Sequence, residues 1–126
     1  MNKETLKNLI TNGENSGVEF KRDNIRPEKL AKEVVALANL QGGYILLGVD
    51  DDGTIIGVTR SNLNEWIGDT VFGRYVHPTI LPYYEDVVMD DGKRVTVITI
   101  GQEACKPYVV RYNDTESAYV RIGSVS

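Results

Sequence analysis

The stretch PEKLAKEVVALANLQGGYILLGVDDDG, Pro27 to Gly53, decides the fold. Pro27 suits the first turn of a helix, where its missing N–H would have no intrahelical acceptor. Leu30, Val34, Leu37 and Ala38 follow at helical spacing and form one apolar stripe. Gly42-Gly43 ends that helix. Tyr44-Ile45-Leu46-Leu47-Gly48-Val49 is then a continuous apolar run, which reads as a strand buried on both faces. Asp52-Gly53 is a hairpin signal leading to a partner strand over Ile55 to Val58.

Upstream, Leu6, Leu9 and Ile10 share one face of a helix from Lys3 to Thr11, stopped by Asn12-Gly13. Val18-Glu19-Phe20-Lys21 alternates as a half-buried strand does, with Val18 and Phe20 pointing one way and Glu19 and Lys21 the other. Downstream, a third helix is predicted to start at Asn62. Its side chain would cap the helix, Glu65 takes the capping-box position, and Leu63, Trp66, Ile67 and Val71 make the apolar face. The remainder reads as strands. Ile80 to Met89 and Arg94 to Ile100 flank Asp90-Asp91-Gly92, and Tyr108 to Tyr112 and Ala118 to Ile122 flank Asn113-Asp114-Thr115. Early helices and late hairpins predict an α+β domain with a mixed, mainly antiparallel sheet and about three helices.

At 126 residues, 41% hydrophobic and 25% charged, the chain is one ordinary globular domain, neither disordered nor fibrous. No apolar run approaches the roughly 20 residues that span a bilayer, so no membrane partner is expected. The single cysteine, Cys105, cannot form an internal disulfide, which fits a reducing cytoplasm. A net charge of -4 argues against a strongly basic binder, yet a local basic patch acts within about 8 Å at physiological salt.

Several groups carry candidate chemistry. Glu14, Glu19 and the run Asp50-Asp51-Asp52 can supply hard oxygen ligands for magnesium or manganese, with Lys21 steadying a phosphate. The plainer alternative is a solvated strand face and an acidic hairpin turn. Gly42-Gly43 follows a helix, whereas anions favour the opposite end, and no G-x-x-x-x-G-K-[ST] occurs, so ATP is not supported. Cys105 and His77 stand alone in type, which excludes a Cys/His zinc site by count. Near the C-terminus Lys106, Tyr108, Arg111, Tyr112, Tyr119 and Arg121 interleave cations with aromatics. Cations neutralise phosphates and tyrosines stack on unpaired bases. An ordinary sheet with one solvated face explains the same pattern.

In order along the chain, these segments resemble the Schlafen AlbA-like (AlbA-2, divergent AAA-4) domain family. The matching pieces are Glu14-Asn15-Ser16-Gly17-Val18-Glu19-Phe20-Lys21 and Ala36-Leu37-Ala38-Asn39-Leu40-Gln41-Gly42-Gly43-Tyr44-Ile45. They continue as Leu47-Gly48-Val49-Asp50-Asp51-Asp52-Gly53, Ile56-Gly57, Pro107-Tyr108 and Tyr119-Val120-Arg121-Ile122-Gly123-Ser124. The resemblance implies one domain over residues 1–126, of the kind that forms the N-terminal module of a longer protein.

It also implies two functions. The first is a cytoplasmic DNA- or RNA-binding module of a prokaryotic transcriptional regulator, with Lys21, Arg22, Lys106, Arg111 and Arg121 on the nucleic acid. The second is a metal-dependent endoribonuclease that cleaves structured RNA. In that case Glu14, Glu19 and Asp50 match the family's three-carboxylate site, with magnesium or manganese as cofactor and Lys21 beside it. Carboxylates around one point would favour the nuclease, and dispersal the binder. Animal members build a groove from two lobes, so a homodimer would recreate it here, with the late strand edges and Trp66, Phe72, Tyr75, Tyr83 and Tyr84 as adhesive elements.

Overall fold

The computed structural model describes residues 1–101 and 107–119. The helices are α1 (Lys3–Asn12), α2 (Pro27–Ala38) and α3 (Leu63–Glu65), which continues as a π-helical run, Trp66–Tyr75. The strands are β1 (Val18–Lys21), β2 (Gly43–Leu47), β3 (Val76–His77), β4 (Tyr83–Val88), β5 (Arg94–Ile100), β6 (Val109–Tyr112) and β7 (Thr115–Ala118). The order β1-β2-β5-β4 makes one sheet and β3-β6-β7 a second. β1 and β2 run parallel, and the remaining pairs are antiparallel. The fold is α+β, with the strands divided between two sheets rather than gathered in one.

β2 explains why its sequence is apolar without a break. Ile45, Leu46 and Leu47 are all fully buried. Alternation sends Ile45 and Leu47 into a core with α2, the π-helical run and β6, and sends Leu46 into a second core with Leu6 of α1 and Phe20. Each such side chain removed from water contributes about 1.5–3 kcal/mol. The first sheet is therefore clamped between helices on both faces.

Gly42 and Gly43 make that packing possible. Gly42 has φ +78° and its N–H donates to Leu37 O at 2.8 Å, closing α2. A Cβ there would lie 2.2 Å from Ile100 O, and one on Gly43 2.2 Å from Gly17 O. Only glycine lets the chain leave the helix and enter the sheet between two backbones.

Three elements depart from the sequence reading. Ile55 to Val58 is not a strand: Val49 and Ile55 form an isolated bridge, and Gly48 O accepts from both Ile56 and Gly57 N–H. Gly57, at φ +87°, turns the chain away from a ladder. Asn62 adopts the left-handed conformation and its side chain makes no capping bond, so the capping box is absent. Beyond it the helix widens, and Ile67, Val71, Phe72 and Val76 are buried at spacings of four to five. In the last hairpin the turn is Asn113-Asp114 alone, both with positive φ, so Tyr112 pairs with Thr115. β7 thus begins before the predicted Ala118, while Val120 to Ile122 lie outside the described residues.

The aromatic residues considered for self-association are mostly core. Phe72 is buried, and Trp66, Tyr75 and Tyr84 pack against the first cluster. Tyr83 remains exposed on the edge strand β4, near exposed Leu81 and Val88.

Candidate nucleic-acid interface

β1 delivers Glu19 and Lys21 to one face, where they meet. Glu14, just before the strand, accepts a hydrogen bond from Phe20 N–H at 2.9 Å and so satisfies a donor on an outer strand of the sheet. Glu19 points to the α2 side and is only 4% exposed, with Lys21 Nζ 3.3 Å from its carboxylate and 4.0 Å from that of Glu33 on α2. Asp50 lies past the end of β2 and accepts from Arg22 Nε at 3.1 Å and Nη2 at 2.8 Å. That guanidinium, then the Asp51 N–H, holds the Asp50 carboxyl below the ordinary range, and Asp50 in turn raises Arg22. Glu14, Glu19 and Asp50 therefore each have a different partner. Among the described residues no three His, Cys, Asp or Glu side chains gather to hold a metal ion.

The expected cations are likewise engaged. Lys21 sits between Glu19 and Glu33, and Arg22 is forked onto Asp50. Arg111 donates from Nε to Glu116 across the β6–β7 hairpin at 2.8 Å. Lys106 and Arg121 lie outside the described residues, as does Cys105. His77 Nε2 is 2.9 Å from Arg74 O, a local contact.

A different basic surface exists. Arg26, the residue that precedes α2, and Lys29 are exposed and Lys32 is half-buried, while Leu30, Ala31 and everything from Glu33 to Ala38 is buried. Opposite them stand Tyr112, at the end of β6, and Tyr119, just after β7. Alternation places Tyr108 and Val110 on the α2 side of β6, where both are buried, and carries Tyr112 out beyond them on the same side. Helix and hairpin enclose a cleft of about 310 Å³ lined by these cations and tyrosines. Lys32 Nζ lies 5.2 Å from the Tyr119 ring centroid. Tyr75 backs Tyr112, their ring centroids 5.8 Å apart and tilted by 51°. Glu28, the acid of the lining, is 3.8 Å from Arg26.

The model of the Schlafen AlbA_2 family matches residues 14–126. The chain belongs to that family. A search of the curated proteins finds no match. Among solved structures, the N-terminal domain of a RecG-related protein from Nitrosomonas europaea superposes with a TM-score of 0.72 at 23% identity, over 100% of this chain and 92% of that one. The DIP2311 protein from Corynebacterium diphtheriae gives 0.59 at 24% identity, over 82% of this chain and 25% of its own. Both show the fold.

Two residues that shape the interface of this Schlafen AlbA_2 domain escaped the sequence reading as functional parts. Asp23, buried after β1, accepts from Thr59 and Arg60 N–H at 2.6 Å each, while Arg60 Nε donates back to Asp23 O at 2.8 Å. Arg60 also lies over the Trp66 ring, 4.0 Å from its centroid. This clamp fixes the loop that leads into α2 and so the position of Arg26. Asn39, at the other end of α2, bonds to Tyr108 and Tyr119 and fixes the hairpin against the helix. Arg26, Lys29 and Lys32 had a readable signal: they recur every third residue beside the apolar stripe.

Proposed function

We propose that this domain is a nucleic-acid-binding module of the kind that serves transcriptional regulators, and that the cleft between α2 and the β6–β7 hairpin is its binding surface. The observation that carries the reading is the convergence of Arg26, Lys29 and Lys32 with Tyr112 and Tyr119 in one cleft. Lys29 and Lys32 have no carboxylate within ion-pair distance among the described residues, whereas Lys21, Arg22 and Arg111 do. Arg26 and Lys29, at the first turn of α2, oppose its dipole, at about 0.3–1 kcal/mol each. Such a local cost is what a phosphate-binding surface would carry. The overall charge of -4 does not cancel it, because charges more than about 8 Å away are screened. Family membership and the RecG-related fold neighbour support the same reading.

Fluorescence anisotropy with labelled duplex DNA, single-stranded DNA and RNA tests it. Binding at low salt, weakened by Lys29→Ala with Lys32→Ala and unchanged by Arg111→Ala, is expected. Each phosphate contact removed should lower the salt slope by about one. Absence of binding to all three probes would overturn the proposal. Magnesium- or manganese-dependent RNA cleavage that Glu19→Gln abolishes would replace it with the endoribonuclease reading.

A further inference from the structure

We infer that the α2–hairpin cleft takes an unpaired strand, with a base on the Tyr112 ring and the flanking phosphates on Lys29 and Lys32; this rests on the nucleic-acid reading above and narrows it to single strands. In a duplex the faces of the bases are stacked on one another and only their edges open into the grooves. A base in a single strand offers a free face, and aromatic side chains take it without reading its sequence. Tyr112 is 40% exposed, yet it sits in a cleft walled by a helix on one side and a hairpin on the other. Only a base outside a stack can lie on it.

The ring is also held ready. Tyr75 packs against Tyr112 at 5.8 Å, and Tyr112 belongs to the paired part of β6, opposite Thr115. Orientation is thus settled before a ligand arrives, which lowers the entropy lost on binding. The cations stand where a backbone would run. Lys29 and Lys32 are one turn apart on α2, about 4.5 Å along its axis, and Lys32 already lies over Tyr119. Its ammonium can stay on that ring while it meets a phosphate. A second depression, about 270 Å³, continues past Tyr112 and Tyr119 over the outer end of the hairpin, so a strand has somewhere to go next.

The test compares fluorescein-labelled oligothymidylate of roughly 12 nucleotides, within the site sizes of such proteins, with a labelled duplex of equal length. The intact chain should favour the single strand by about ten-fold or more. Tyr112→Ala should cost about ten-fold on the single strand and leave the duplex within about two-fold, Tyr112→Phe should retain binding, and Tyr83→Ala on β4 should change neither. Thermal melts of each variant establish folding. If Tyr112→Ala unfolds the chain, quenching of intrinsic tyrosine fluorescence by oligothymidylate, lost in Lys29→Ala with Lys32→Ala, reads the same contact. Equal binding of both probes, or a Tyr112→Ala loss shared equally between them, overturns the single-strand inference and leaves nucleic-acid binding intact. No binding of either probe, nor of an RNA strand of equal length, overturns both.

Discussion

The side chain of Asn39 pairs with both backbone groups of Tyr108: its Oδ1 accepts from the N–H at 2.6 Å and its Nδ2 donates to the C=O at 2.9 Å. A neighbouring strand would make the same two bonds. The second Nδ2 hydrogen reaches Tyr119 O, also at 2.9 Å, so both amide donors are used. One residue at the end of α2 thereby ties down the start of β6 and the residue after β7, and with them the tyrosine wall of the cleft.

Replacing Asn39 with alanine is expected to destabilise the domain by about 2–3 kcal/mol, because it leaves backbone groups unpaired in a partly buried place. Chemical denaturation measures this. Single-strand affinity should fall in the same variant under conditions where it is still folded, since Tyr119 loses its tether. A stability loss with unchanged affinity would mean that Asn39 serves the fold alone.

Gly43→Ala should be more damaging, at about 3–5 kcal/mol, since the new Cβ would meet Gly17 O at 2.2 Å and neither backbone is free to move. Gly13→Ala, at a turn with nothing within 4 Å of the added carbon, has only its φ of +79° to relieve. With ψ at 179° this is a region essentially confined to glycine, so the cost should be about 1–3 kcal/mol. Equal melting temperatures for the two variants would contradict the close approach of β2 to the β1 entry.

Much of this arrangement was legible in the residues. The Pro27 start, the apolar stripe of α2 and the unbroken run of β2 are local signals, and burial on both faces left little choice for them. β1 was readable in the opposite directions of Phe20 and Glu19, but not as a half-buried strand: Glu19 is buried too, because α2 covers that face. The site was not, because it depends on partners distant in sequence. Asn39 meets Tyr108 and Tyr119, about seventy and eighty positions further along the chain. Arg111 and Tyr112 are adjacent in the chain, but alternation puts them on opposite faces of β6, and Glu116 takes the arginine. Nothing in the interleaved C-terminal pattern says that Lys29 and Lys32, on a helix far upstream, face the same tyrosines. The π-helical run was also hidden, since Leu63, Trp66 and Ile67 fit an α-helical stripe until the spacing widens.

Acid should weaken the fold through Asp50, Asp52 and Asp90. Each has a carboxyl held below its ordinary value of 3.8: Asp50 by Arg22, Asp52 by the Thr54 N–H, and Asp90 by Lys3. The unfolded chain therefore takes up these protons first as pH falls. Their stabilisation is complete above the ordinary value and is lost as pH drops through the lower, folded values. Asp52 and Asp90 are exposed and Asp50 is only partly covered, so the effect should be small and should shrink with salt. Denaturant midpoints across this range should fall with acidification, and less steeply in Asp90→Asn. A midpoint that rises on acidification would contradict the assignment.

Asp50→Asn separates the two functional readings by sign. Asp50 neutralises Arg22 through a two-pronged contact, and Arg22 stands in the loop that joins β1 to α2, four positions before Arg26 of the cleft. Removing the charge releases that guanidinium and reduces the net negative charge by one. In a phosphate-binding module the change should tighten single-strand binding by about two- to five-fold at low salt, a gain that disappears as salt screens the freed cation. In a three-carboxylate nuclease the same substitution removes a metal ligand, so cleavage would vanish and metal affinity would drop. Anisotropy, RNA cleavage and manganese titration on one variant thus give opposite patterns. Tighter binding with no cleavage in either protein supports the module. Lost manganese affinity with lost cleavage would mean that Glu14, Glu19 and Asp50 share the ion, in exchange for the separate contacts they make with Phe20 N–H, Lys21 and Arg22.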